Sequence, residues 1–212
     1  MNHSKLLAIM TLGVAVVFAG LGLTRHMIAT AGEADAHRLH SSILEYIAER
    51  NPKAPIRVFK NFPQTLVAEA QRSNLDHCLV LAQAEIESEF KHDAVGAAGE
   101  IGIFQILPST AVIIEPLVGP FKRPSKSHLG DLADPNVSAK FALAYLRDIM
   151  ARKPNIRDAL TEYNGGPNGR HPHYYRLVMG TYVEVLEHSQ LRCRFREMPR
   201  QPALLTTFLS RS

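Results

Sequence analysis

Glu85, Glu87 and Glu89 alternate through the run Ala84-Glu85-Ile86-Glu87-Ser88-Glu89-Phe90, and their types and spacing suit acid chemistry at one of the three positions. Set the segment on a helix at about 100° per residue, and Leu79, Ile86 and Phe90 form one apolar stripe. Glu87 falls on the shoulder of that stripe beside Val80, whereas Glu85 and Glu89 fall on the opposite flank, one turn apart, where solvent reaches them. A carboxyl group at the edge of an apolar face loses water, which disfavours its charged form and keeps its proton nearer neutral pH. Donation of a proton to a leaving oxygen, such as a glycosidic oxygen, requires such a group. Helical geometry only nominates Glu87, since an amphipathic-helix glutamate is a common thing.

The elements that position these residues are helices. Leu39, Ile43, Leu44 and Ile47 recur at helical spacing over 34–50, and Pro52, Pro55 and Pro63 then mark a connector. Helices are expected over 64–73 and over 76–89, the second with Asp76 as N-cap. Lys91 to Glu100 reads as a Gly- and Ala-rich loop, and Pro108 opens a short helix through Ile114. Asp134-Pro135-Asn136 opens the next helix, with Val137, Phe141, Tyr145 and Leu146 on one face. The segment 156–163 is helical up to Asn164-Gly165-Gly166-Pro167, a strong terminator, and 181–188 forms the last helix. No segment shows the alternation of a strand, so the fold class is mainly α.

The bulk properties bound the answer. The chain has 212 residues, 46% hydrophobic and 21% charged, which suits one globular domain with one core. Its net charge of +4, helped by arginines at 192, 194, 196, 200 and 211, favours anionic polymers. No zinc spacing, phosphate-binding Gly loop or RNA-binding aromatic motif accompanies that charge, so nucleic acid is not the expected partner. Lys5 precedes an uncharged run, Leu6 to Leu23, closed by Thr24, Arg25 and His26. A run of this length points to export, as a cleaved signal peptide or as a membrane anchor. Cys78 and Cys193 fit either one disulfide of an exported protein or two buried thiols. His171 and His173 lack a third ligand at a defined spacing, and no calcium loop is recognisable, so no cofactor is expected.

Four blocks in order carry a resemblance. The first is Glu87-Ser88-Glu89-Phe90, followed by Gly99-Glu100-Ile101-Gly102-Ile103-Phe104-Gln105 and Pro108-Ser109-Thr110-Ala111. The second is Asp134-Pro135-Asn136-Val137 leading to Ala144-Tyr145-Leu146, and the third is Glu162-Tyr163-Asn164-Gly165-Gly166-Pro167. The fourth is Tyr182-Val183 with Val185-Leu186. Together, over about 66–188, they resemble the catalytic core of the soluble lytic transglycosylases, whose fold is lysozyme-like of the goose type. Gly96, Glu100 and Glu162 depart from that pattern, which commonly has Ser, a small residue and Ala there.

The resemblance implies a peptidoglycan-cleaving enzyme with Glu87 as catalytic acid and base. It further implies substrate contacts from Ser88, Gly102, Phe104, Gln105, Tyr163, Asn164 and Tyr182, with Tyr182 orienting Glu87. Gln105 carries an amide donor and acceptor for ring substituents, and Gly99 and Gly102 would let the backbone approach a sugar closely. Asp93 is the only second acid close after Phe90 and has no strong claim; the resemblance implies a route through the substrate's own N-acetyl group. The two additional acids, Glu100 and Glu162, would raise the pKa of Glu87 or repel an anionic glycan. The domain plan is a signal or anchor over 1–31, a helical extension over 32–65, the catalytic domain over 66–190 and a basic tail over 191–212. Expected partners are glycan strands, an envelope-spanning secretion or conjugation apparatus, and the inner membrane at the N-terminus, with a periplasmic location. A hydrolase of the same fold and a non-catalytic wall-binding scaffold are the competing readings.

Overall fold

A cap and a run of small and apolar residues set the central element. Asp76 has extended backbone and its side chain accepts from the Cys78 N–H at 3.1 Å, which starts a helix over His77–Ser88. The computed structural model describes residues 32–194 apart from 168, 170 and 171. The chain divides into two units, Met1–Ser41 and Ser42–Ser212. Of the first, residues 32–41 are helical, with an ion pair between Asp35 and Arg38 one turn apart. The expected signal or anchor segment lies outside the described residues. Among those described, no helix is long and apolar enough to cross a membrane.

The second unit holds the core. It runs from α1 (42–50) through α2 (Phe62–Arg72), α3 (His77–Ser88), α4 (Pro108–Val118), α5 (Pro135–Met150) and α6 (Ile156–Gly165) to α7 (Pro172–Leu186). The long segment between α3 and α4 is irregular, closed by isolated antiparallel bridges from Ile101 to Val95 and Ile106. α3 packs along α7 and against α2, α5 lies against α2, α4 and α6, and α6 meets α7. Ile43, Tyr46 and Ile47 of α1, with Phe59 and Phe62 beyond it, are buried in the core of this unit. The segment read as a separate extension over 32–65 thus belongs largely to the core-bearing unit from Ser42 onward.

Three expectations change. α3 is buried on nearly every side, from Cys78 through Glu85 and again at Ser88, so it is the central helix rather than an amphipathic one with a wet flank. α4 continues to Val118 with Pro116 in its last turn and stops at Gly119 (φ 112°), whose N–H still bonds Glu115 O. α7 begins at Pro172, about nine residues before the expected 181. The stripe that builds it, Tyr174, Val178, Tyr182 and Val185, is buried at helical spacing. A disulfide joins Cys78, at the start of α3, to Cys193, with Cα atoms 5.5 Å apart.

Candidate active site

Glu87 occupies the last turn of α3, and the chain leaves that helix abruptly. Glu89 (φ 52°) and Phe90 (φ 56°) are both left-handed, a strained pair for side chains with a Cβ. The turn is held by the Glu89 N–H on Glu85 O, by Asn51 Nδ2 on Glu89 O at 3.0 Å, and by the wholly buried Phe90 ring. It opens a cleft of about 650 Å³, lined by Glu87, Glu100, Gln105, Tyr145, Tyr163 and Asn164 among others. One wall is the loop after α3, the other the C-terminal end of α6.

Inside that cleft the Glu87 carboxyl is pushed up to about 7, first by burial and then by the nearby charge of Glu100. The C-terminal end of α3 carries a partial negative charge, which works in the same direction. One contact opposes them: the Tyr174 phenol donates to Glu87 Oε1 at 2.5 Å. Burial wins, and Glu87 is a carboxylic acid poised between its two protonation states near neutrality.

Tyr182 does not orient it. α3 and α7 run in opposite directions, so Tyr182 meets the start of α3, where its phenol donates to Asp76 Oδ2 at 2.7 Å. Tyr174 lies two turns earlier on α7, about 12 Å along the axis, which brings it to the end of α3 where Glu87 stands. Tyr174 escaped the sequence reading, although its place in the 174/178/182/185 stripe was a usable signal. Asp76, His77 and Cys78 form the only three-ligand cluster among the described residues. Cys78 is spent in the disulfide and Asp76 on the cap and Tyr182. Of the His171 and His173 pair, His173 is exposed and His171 lies outside the described residues.

The expected substrate contacts separate into two groups. Gln105, Tyr163 and Asn164 line the cleft with Glu87. Gln105 (φ 47°) also binds its own loop, with Nε2 2.9 Å from Gly102 O. Ser88, Gly102 and Phe104 instead build the wall from behind. Ser88 Oγ stands 3.1 Å from Ile103 O and 3.2 Å from Ala84 O, hooking the loop to α3. A Cβ on Gly102 (φ 83°) would come within 2.1 Å of Leu132 O, so this glycine serves close packing of two backbones and not of a sugar. Phe104 is fully buried and offers no face to a ligand; its carbonyl accepts from the Tyr163 phenol at 2.9 Å.

The acids around Glu87 also divide. Glu85, expected in solvent, is 8% exposed, and takes Tyr46 Oη at 2.6 Å and Arg50 Nε at 2.5 Å. Glu89 alone matches the open position expected of both, bonding Lys91 at 2.6 Å. Glu162 is buried in the cleft wall; burial pushes its carboxyl up, but Lys153 at 2.7 Å and Arg152 at 2.6 Å outweigh that and hold it low. Its charge is thus neutralised locally, and of the two additional acids only Glu100 acts on Glu87. Glu100 is itself turned back, with Oε2 accepting from the Ala98 N–H at 2.9 Å. Asp93 does not line the cleft. Tyr145, half-buried and 5.4 Å from the Tyr163 ring, and Arg152 are lining residues absent from the expected contacts; Tyr145 had been read only as part of a helix face and a helix-opening block.

The transglycosylase SLT domain family model matches residues 64–173. This chain belongs to the SLT domain family. The matched span contains Glu87, the loop with Gln105, Tyr163 and Asn164, and ends just before Tyr174. The structure is also similar to that of an inactive mutant of the lytic transglycosylase Slt from Pseudomonas aeruginosa, with a TM-score of 0.51 and 23% identity. That likeness covers 63% of this chain and 26% of the other, so the chain spans about a quarter of that protein's length. It is a likeness of fold, and the mainly helical, lysozyme-like architecture of the SLT domain agrees with it.

Proposed function

We propose that this SLT domain cleaves the β-1,4 bond between N-acetylmuramic acid and N-acetylglucosamine in peptidoglycan, closing a 1,6-anhydro ring on the muramyl product. The observation that carries the reading is one acid held near its midpoint: Glu87, in the cleft, with a carboxyl pushed up to about 7 and a neutral phenol on one oxygen. Protonated Glu87 delivers its proton to the glycosidic oxygen as the bond to the anomeric carbon breaks. The carbonyl oxygen of the substrate's N-acetyl group stabilises the electron-poor carbon. The Glu87 carboxylate then removes the proton from the muramyl 6-hydroxyl, whose oxygen bonds the anomeric carbon and releases the N-acetyl group. No water is consumed and Glu87 ends as it began.

A second reading is hydrolysis on the same fold, and one observation favours it. Glu100 is a second carboxylate in the cleft whose charge reaches Glu87, the arrangement a water-activating base requires. Its bond to the Ala98 N–H turns it into its own loop, which weighs against that role. Mass spectrometry of purified peptidoglycan digested by the full chain separates the two. Anhydromuropeptides are expected; reducing-end muropeptides would move the chain to the hydrolases, and a Glu100→Gln variant would then be inactive.

We further propose that the chain acts outside the cytoplasm, in the periplasm, free or anchored by the Leu6–Leu23 segment. The Cys78–Cys193 disulfide supports an oxidising compartment. Service to a secretion or conjugation apparatus belongs to the same proposal, since assembly across the envelope needs the wall opened locally, which this cleavage does. Disulfide mapping on protein taken from the cell envelope tests the location; two free thiols there would oppose it.

A further inference from the structure

Gln83 stands one helical turn before Glu87 on α3 and is 2% exposed. Its Nε2 is shut off from solvent and closes no hydrogen bond of ordinary geometry, an expensive state for a buried amide. Four residues apart on one helix, Gln83 and Glu87 share a face, and the amide acts on the Tyr174 phenol in the direction of a donor by favouring the ionised oxygen. Tyr174 is itself 6% exposed, with its hydroxyl committed to Glu87 Oε1. A phenol has one proton to donate and lone pairs to accept with. With its proton on Glu87, the Tyr174 oxygen keeps its lone pairs free to accept from a buried donor such as the Gln83 amide.

We infer that Gln83 is a positioning residue for catalysis, acting through Tyr174 to keep Glu87 Oε1 an acceptor and so to leave the acid's proton on Oε2. The physics is a donor chain, Gln83 to Tyr174 to Glu87, in which each link polarises the next. As the Glu87 carboxylate forms, Tyr174 donates more strongly, its oxygen gains negative charge, and the Gln83 N–H stabilises that charge. The chain thereby favours the ionised form of Glu87 that must collect the proton from the muramyl hydroxyl. The other titratable groups that face Glu87, Glu100 from the loop and Tyr163 from α6, are the same in every variant compared.

The catalytic consequence rests on the proposed function, but the titration of Glu87 does not, and it is the test. In the full chain the Glu87 carboxyl carbon is followed by NMR against pH in wild type, Gln83→Met, Tyr174→Phe and the double variant. Losing Tyr174 removes a bond that favours the carboxylate, so its midpoint moves up, by about one pH unit. Gln83→Met moves it the same way by about half a unit when Tyr174 is present, and not at all when Tyr174 is Phe. A Gln83→Met shift of the same size in both backgrounds, or no shift in either, overturns the inference. Gln83→Leu serves as the second apolar variant should Met not fold. If the wall-cleaving reading holds, Gln83→Met also lowers kcat several-fold with KM unchanged. A rise in KM with kcat unchanged would overturn the positioning role.

Discussion

Glu85 and Glu87 leave the same helix two residues apart, lose most of their water, and face opposite regions of the protein with opposite results. Behind α3, Glu85 meets Arg50 from α1 and the Tyr46 phenol, and Arg50 reaches on to Glu184 of α7 at 3.3 Å. The bond to Glu85 raises the Arg50 guanidinium further, and burial with the same carboxylate pushes the Tyr46 phenol well above its ordinary range. In front, Glu87 meets a neutral phenol and the charge of Glu100, with no cation on its oxygens among the described contacts. Burial is common to both; the partner decides. A charged partner makes a structural carboxylate that ties helices together, and a neutral one leaves a carboxyl poised near neutrality.

The largest effect expected is on turnover. Glu87→Gln removes the proton donor while keeping the acceptor for Tyr174, and wall digestion falls by about 10²- to 10⁴-fold in a turbidity assay. Glu85→Leu breaks the rear region instead, leaving Arg50 without its main partner. It lowers unfolding stability by about 2 kcal/mol, discounted because Arg50 is partly exposed, while activity per folded molecule stays near wild type. Chemical denaturation with matched activity reads both. If Glu85→Leu were stable and inactive, the division of labour along α3 would be wrong.

A third prediction uses the sign of linkage. Glu87 has its folded pKa raised from the ordinary 4.5 to about 7, so the folded state holds a proton that the unfolded chain releases. Its contribution to stability is present below about 4.5 and is lost as pH rises to about 7. Glu87→Gln escapes that loss, and is expected to be more stable than wild type by about 2 kcal/mol at pH 8, with no gain at pH 4. Thermal melts at the two pH values check it. The smallest effect belongs to the turn between the regions: Glu89→Gly relieves a left-handed residue and stabilises the fold by up to about 1 kcal/mol, measured by urea unfolding. Loss of the Lys91 contact costs little, since that pair is in solvent.

What was legible in the sequence follows the same division. That Glu87, Gln105, Tyr163 and Asn164 share one cleft was readable because their motifs are local and their spacing survives without knowledge of packing. Asp76 was readable as a helix cap and Asp134 as the opening of a helix for the same reason; Asp76 accepts from the Cys78 N–H, and Asp134 from those of Asn136 and Val137. Glu85 was misplaced because three alternating glutamates look like a wet flank, and only the surrounding helices show that α3 has none. Phe104 and Ser88 sit inside a catalytic-looking block, yet their work is to brace it, which depends on what lies behind the loop. Tyr174 was hidden by the turn-like His171-Pro172-His173 before it and by Gly180 within the helix, which weaken the local case for α7. Its partner on Glu87 is 87 residues away in the chain, a separation no local pattern spans.

The most direct test of the account is the pH dependence of kcat/KM for wall cleavage by the full chain. With protonated Glu87 as the working acid, the rate falls about tenfold per pH unit above about 7. A rate that instead keeps rising from pH 7 to pH 9 would mean that the ionised carboxylate is the active form, and would contradict the assignment of Glu87 as the acid.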